Sequence, residues 1–151
     1  MNAYQQMKEL HQKEFNAFPL GFALTDESFD KMMRDWGLEP TDTKKICKIP
    51  NTGFGFMRKS DVPAFLEMIE RHRNEEKELM ETVPDFAYDM FRYELANHEY
   101  GYTYDTNDTV EALGLTYEEI EADPKLKDAF ERAKRDIIQQ EDWSCLVSEI
   151  R

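Results

Sequence analysis

Apolar residues recur at helical spacing along most of this chain, and one stretch breaks the pattern. Ile46-Cys47-Lys48-Ile49 and Phe54-Gly55-Phe56-Met57 flank Pro50-Asn51-Thr52-Gly53, a tetrapeptide of turn-forming residues. Two short β-rich runs around such a turn predict a β-hairpin over about 45–58. Two strands alone bury too little to persist in water. The hairpin must therefore lean on helices or recruit a third strand, for which Leu20-Gly21-Phe22-Ala23 is the candidate.

The rest reads as helix. Tyr4, Met7, His11 and Phe15 mark a stripe over residues 3–16, which Phe18-Pro19-Leu20-Gly21 ends. Thr25 caps a second helix with the stripe Phe29, Met32, Met33 and Trp36, closed by Gly37. Ser60 or Asp61 opens a long helix with Pro63 in its first turn and the stripe Val62, Phe65, Leu66, Ile69, Leu79 and Met80. Pro84 breaks that run, and a further helix is expected over about 85–99, ended by Gly101 and followed by a tyrosine-rich loop from Tyr100 to Tyr104. Asn107 or Asp108 caps a short helix ending at Gly114, and Thr116 opens another through Ala122. Asp123-Pro124 starts the last helix, with the stripe Leu126, Ala129, Phe130, Ala133 and Ile137, before a tail holding Trp143, Leu146, Val147 and Ile150. The expected fold is α+β: a mostly helical single domain, residues 1–151, with one small β-hairpin.

An apolar content of 40% supports a real core, so the acidity does not signal disorder. No apolar run is long enough to span a membrane, and the N-terminus lacks the pattern of a secretory signal. Cys47 and Cys145 form no Cys-x-x-Cys motif and read as reduced thiols, which makes a cytoplasmic location the expectation.

Charge is segregated. Residues 43–60 contain no acid but carry Lys44, Lys45, Lys48, Arg58 and Lys59, a block of +5. Residues 61–123 hold 18 acids against Arg71, Arg73, Lys77 and Arg92, a block of −14. The two remaining stretches are −4 and 0, so these blocks set the net charge of −13. A field of this kind selects partners by steering their approach.

Candidate chemistry is sparse. All three histidines fall on apolar stripes. His72 and Glu76 form an i, i+4 pair on the inner side of one helix; on the next, Glu94, Asn97 and His98 fall within the apolar arc around Phe86, Ala87, Met90 and Phe91, and Glu94 and His98 form a second such pair. In an antiparallel pair turning at Pro84 the four would face one another, and such a set can ligate zinc, iron or manganese. The order is not the Glu-x-x-His of helical di-iron sites, and mutual hydrogen bonding of buried Glu–His pairs is the plainer reading. Asp105-x-Asn107-x-Thr109 starts like a calcium loop, but Val110 stands where its glycine belongs and Thr116 where its glutamate belongs. Phosphate-binding, dinucleotide, nucleophile-elbow and zinc-protease motifs are all missing. No cofactor and no enzymatic activity are expected.

The acidic block interleaves carboxylates with aromatic rings. Helical projection places Tyr88, Asp89, Arg92 and Glu99 on the outer side of the 85–99 helix, and Tyr100, Tyr102, Tyr104 and Asp105 follow. Such residues anchor a basic protein, the ring packing on arginine while the carboxylate pairs with it. Carboxylates at helical intervals also imitate the phosphates of a duplex. The alternative is a solvated helix face. Lys44, Lys45, Lys48, Arg58 and Lys59, with Phe54 and Phe56, offer direct contact with nucleic acid, although a solvated or self-docked hairpin is the favoured reading.

Phe18-Pro-Leu-Gly-Phe-Ala, Met33-Arg-Asp-Trp-Gly-Leu, Tyr93-Glu-Leu-Ala-Asn-His-Glu-Tyr-Gly-Tyr-Thr and Asp108-Thr-Val-Glu-Ala-Leu-Gly-Leu-Thr resemble a family of small acidic proteins of unknown function from gut bacteria, their phages and their mobile elements. The resemblance covers most of residues 4–138 and implies a genomic setting rather than an activity. In size and acidity the chain is also similar to anti-CRISPR and anti-restriction proteins. The resulting expectation is an acidic inhibitor that blocks a basic, nucleic-acid-binding host-defence nuclease, as a nucleic-acid mimic would. The alternatives are a non-inhibitory adaptor and a metal-binding protein or enzyme using His72, Glu76, Glu94 and His98.

Overall fold

The computed structural model describes the backbone of residues 1–50 and 52–150, and the side chains of residues 1–50 and 52–140. Its elements run α1 (Ala3–Ala17), β1 (Gly21–Phe22), α2 (Asp26–Asp35), β2 (Ile46–Lys48), β3 (Gly55–Arg58), α3 (Val62–Thr82), α4 (Phe86–Asn97), α5 (Tyr100–Thr103), α6 (Asn107–Ala112), α7 (Tyr117–Ala122) and α8 (Pro124–Ile150). The fold is α+β and mostly helical. The chain divides into two units, Glu9–Glu76 and Met1–Lys8 with Lys77–Arg151.

The Glu9–Glu76 unit holds the sheet. The strands pair antiparallel in the order β1-β3-β2, with Gly21 opposite Phe56 and Cys47 opposite Met57. The expected third strand forms where Leu20–Ala23 suggested. The turn is one residue longer than the sequence indicated, because Ile49 pairs with Gly55 and leaves Phe54 in the loop. Thr52 Oγ1 closes that loop by donating to the Ile49 carbonyl and accepting from Gly55 N. One sheet face packs on α2 through Met32, Met33, Ile46, Phe29, Trp36 and Phe56. Thr25 caps α2 in a reciprocal box with Ser28, and Gly37 ends the segment in the left-handed region. Gly21 is required at its position: a methyl there would sit 2.7 Å from Met32 Cγ and 2.9 Å from the Trp36 ring. Phe65 packs edge-on against Phe15 and Phe18. Leu66, expected on that inner stripe, is exposed, and Met68 is buried instead. Helix α3 is rotated so that positions 65, 68, 69 and 72, not 66, point inward.

In the other unit α4 and α8 form the centre. Phe86, Met90, Phe91 and Leu95 meet Ala129, Phe130, Ala133 and Ile137, with Tyr4, Met7, Tyr100, Val110 and Ile120 around them. The small residues Ala129 and Ala133 let the two helices approach closely. Asp123 Oδ1 accepts from Lys125 N, and Thr116 Oγ1 accepts from Glu119 N, as the capping pattern predicted. The expected loop at Tyr100–Tyr104 is instead the short helix α5. Helix α4 stops at Asn97 because Glu99 takes the left-handed conformation, and Gly101 sits inside α5. Helix α8 continues to Ile150, but the side chains of Trp143, Cys145, Leu146, Val147 and Ile150 lie outside the described residues.

Candidate functional site

The acidic segment resolves into two chemically different parts. Along α4 its polar residues are engaged within the unit. The Tyr88 hydroxyl donates to Asp136 Oδ2 at 2.6 Å, and the Arg132 guanidinium lies 4.9 Å over the Tyr88 ring. Burial first, and this bond to a carboxylate second, push the Tyr88 phenol above its ordinary value. Arg92 donates to Gln140, so both residues face α8 rather than open solvent. Asp89 is half-buried, and burial followed by the nearby Asp85 raises its carboxyl. The projection of a single helix placed these residues outside because it carried no information on where α8 lies. Tyr100, expected as an exposed anchor, is buried.

From Glu99 onward the picture reverses. Residues 99–123 contain eight acids and no lysine or arginine, and all eight carboxylates are exposed. Tyr102 is 80% exposed and Tyr104 63% exposed. The buried ring of Tyr100 meets that of Tyr104 edge-on at 6.1 Å and ties α5 to the core. Glu99 (φ 60°) and Tyr104 (φ 56°) bracket α5 in the left-handed region, unusual for residues with a Cβ. Such positions cost of order 1 kcal/mol each and persist where the surroundings hold them, often at functional surfaces. Asp105 Oδ1 accepts from Asn107 N, and the Tyr117 hydroxyl donates to Asn107 Oδ1 at 2.6 Å. Thr109, buried, donates to the Glu94 carbonyl and fastens α6 to α4. Lys127 of α8 pairs with Glu121 at the edge of the patch.

Glu94 is the buried carboxylate of this unit, 3% exposed. Oε1 accepts from the Tyr4 hydroxyl at 2.6 Å and from the Lys8 ammonium, while His98 Nε2 lies 3.6 Å from Oε2. Lys8 also sits 4.8 Å over the Tyr93 ring. Sequence reasoning put Glu94 on the apolar arc but missed its partners. The signal was there: Tyr4 and Lys8 are one helical turn apart, on the inner stripe of α1. Asn97, assigned to the same arc, is exposed.

His72 and Glu76 lie in the other unit, and there the histidine partners differ from those expected. The His72 ring stacks on His11, centroids 3.8 Å apart and planes 10° from parallel. His11 Nε2 donates to Glu75 Oε2 at 2.7 Å, and His72 Nε2 lies 3.4 Å from Glu14 Oε2. Arg71 bridges Glu14 and Glu75. Its hydrogen bond holds the Glu14 carboxyl below the ordinary range, and His11 followed by Arg71 does the same for Glu75. Glu76 takes no part in this pairing, and burial pushes its carboxyl up. The helix pattern could not reveal a stack supplied by α1. Among the described residues no group of three or more His, Cys, Asp and Glu side chains is arranged to hold a metal ion.

The hairpin lysines Lys44, Lys45, Lys48 and Lys59 are exposed, whereas Arg58 pairs with Asp61 at 2.8 Å. Cys47 is a free, half-buried thiol. Among the described residues no helix is long and apolar enough to cross a membrane. Comparison with curated proteins and with solved structures returns no match. A family described only as of unknown function, DUF7659, matches residues 3–136, and the chain belongs to that family.

Proposed function

We propose that this protein is a binding protein that docks a basic partner on the exposed acidic face of residues 99–123, and that it acts as an inhibitor by occupying the partner's nucleic-acid channel. The observation that carries the reading is the company the carboxylates keep. A stretch with eight exposed acids and no lysine or arginine within it also carries two exposed tyrosines, Tyr102 in a short helix and Tyr104 at its end, with left-handed residues at both ends of that helix. The aromatic rings supply contact area and the carboxylates supply steering and charge pairing. The α4 residues Tyr88, Asp89 and Arg92 support this face from within the unit rather than belonging to it. A nucleic-acid-binding enzyme is the partner class that fits, because its channel is basic and built to take regularly spaced negative charge.

The test is binding to a panel of purified nucleases with basic channels, measured across a salt series. Association should slow steeply with salt, since exposed charges beyond ~8–10 Å are screened at physiological ionic strength. Asp105→Lys with Glu118→Lys should cut the association rate, and Tyr102→Ala should speed dissociation. Salt-indifferent binding, or binding that survives all three substitutions, would overturn the reading.

A further inference from the structure

The two edges of the three-stranded sheet are built differently. Strand β2 has Lys44 and Lys45 just before it and the exposed Lys48 within it, and such charges keep an edge strand from pairing with another chain. Strand β1 has no such guard: residues 15–25 carry no charge in a chain that is 34% charged. Its backbone is open as well. Ala23 N donates to the Phe54 carbonyl, while Gly55 donates to Thr52 Oγ1 and accepts from Ile49 N, on the side of β2. Phe22 and Gly55 are therefore the non-hydrogen-bonded pair of this antiparallel ladder. The Phe22 N–H and carbonyl point off the sheet edge, and no hydrogen bond among the described residues takes them. The two faces differ too. Gly21 stands under Met32 and Trp36, and Ala23 packs on the same α2 side. The Phe22 ring lies over Gly55 on the other face and pairs with Phe54 at 5.8 Å. Phe22, Leu24 and Phe54 are 55%, 81% and 41% exposed. Between β1 and α2 is a groove of about 360 Å³, with Leu20 and Gly21 on one side and Lys31, Asp35 and Trp36 on the other. Lys31 and Asp35 are exposed, and neither is ion-paired among the described residues.

These features select a second copy of the chain as the occupant of the edge. The segment Leu20-Gly21-Phe22-Ala23-Leu24 repeats its pattern of side-chain sizes when read backwards. In an antiparallel pair centred on Phe22, Leu20 lies opposite Leu24, Gly21 opposite Ala23, and Phe22 opposite its own copy. The small residues then fall on the α2 side, where space is short, and the phenylalanine rings of both copies gather on the other face. Charge is self-complementary as well. A two-fold axis perpendicular to the sheet reverses α2, so Lys31 of one copy faces Asp35 of the second, and the reverse. We propose that the protein forms a two-fold dimer through the β1 edge, in which the two Phe22 residues exchange N–H···O=C bonds and two three-stranded sheets become one of six. Pro19 ends the ladder on one side, so the seam is short and the dimer weak and reversible. The inference goes beyond the reading of the acidic face and stands independently of it, since it concerns another surface and another partner.

The test is sedimentation velocity of the full chain across about 10–500 μM, the range that a small interface requires. A monomer–dimer equilibrium is expected. It should strengthen as salt rises, because the seam is apolar and hydrogen-bonded while the repulsion between two chains of net charge −13 is screened. Contact through the acidic face has the opposite salt dependence. Phe22→Lys should raise the dissociation constant roughly tenfold or more, since two like charges replace a ring pair at the axis. Lys31→Glu should raise it about two- to fivefold, and Lys31→Glu with Asp35→Lys should restore it, a rescue that a reciprocal contact between copies requires. The Phe22 amide should exchange more slowly as protein concentration rises. Far-ultraviolet circular dichroism confirms that each variant is folded. A monomer throughout the range, a dimer that survives Phe22→Lys, or a Lys31→Glu defect that the double change does not rescue would overturn the proposal. So would a dimer lost to Asp105→Lys with Glu118→Lys, which would run through the acidic face. A monomeric chain whose Phe22 amide is protected only by an added peptide of alternating valine and threonine would do the same, since the edge would then serve another protein.

Discussion

Two carboxylates in this molecule, the buried Glu94 and the half-buried Glu76, are withdrawn from water with opposite results. Glu94 is ion-paired and hydrogen-bonded from Tyr4 and Lys8, so its removal leaves a hydroxyl and an ammonium without their acceptor. Glu94→Ala should cost about 3 kcal/mol in denaturant unfolding, and Tyr4→Phe about 1–2 kcal/mol, because Lys8 still holds the carboxylate. Glu76 has burial without such pairing, and its folded-state value is raised. A raised carboxyl exacts its penalty as pH climbs from the unfolded value through the folded one, and the penalty is absent below both. Glu76→Gln should therefore raise Tm at pH 7, and the gain should vanish by about pH 4, where the unfolded carboxyl is largely protonated. Glu14 and Glu75 have the other sign: their lowered values stabilise above the ordinary carboxylate range, and that contribution is lost as pH falls through the lowered values. A thermal-melt series over pH 3–8 for the wild type and Glu76→Gln separates the two effects.

At the scale of elements, the weakest is also the most constrained. Strand β1 has two residues and survives because Gly21 lets the backbone approach Met32 and Trp36. Gly21→Ala should destabilise by about 1–3 kcal/mol through overpacking, and near-ultraviolet circular dichroism should report the displaced Trp36. Thr25→Ala should cost about 1 kcal/mol by opening the cap of α2. Neither should disturb the α4–α8 core, whose packing is within the other unit. Amide exchange would show protection lost in β1 and α2 and retained in α4.

For the whole molecule, charge is divided by unit as well as by sequence. The unit of Met1–Lys8 and Lys77–Arg151 carries nineteen acids and nine bases, and its exposed acids repel one another. Raising salt from about 20 to 200 mM should raise its melting temperature by screening that repulsion, since the Debye length falls below typical spacings between surface charges. The same salt should weaken the proposed contact of the acidic face with a basic protein. A protein whose stability rises while its binding falls along one salt axis is the signature of surface charge kept for recognition.

The local pattern by itself determined where α2, α7 and α8 start and where the strands lie, to within a residue. Thr25, Thr116 and Asp123 cap as residues with short oxygen-bearing side chains do, and a change of period with turn residues marked the hairpin. These are signals within one or two turns of chain, and short-range sterics and hydrogen bonding suffice to read them. Tertiary structure alone decided which polar residues meet. Tyr88 is held by Asp136, 48 residues away, His72 is covered by His11, and Glu94 is satisfied from α1, 90 residues upstream. A helical projection gives the direction of a side chain but not what stands there, because the neighbour is chosen by packing over the whole core. For that reason the exposed acidic face begins at Glu99 rather than along α4, where the sequence had placed half of it.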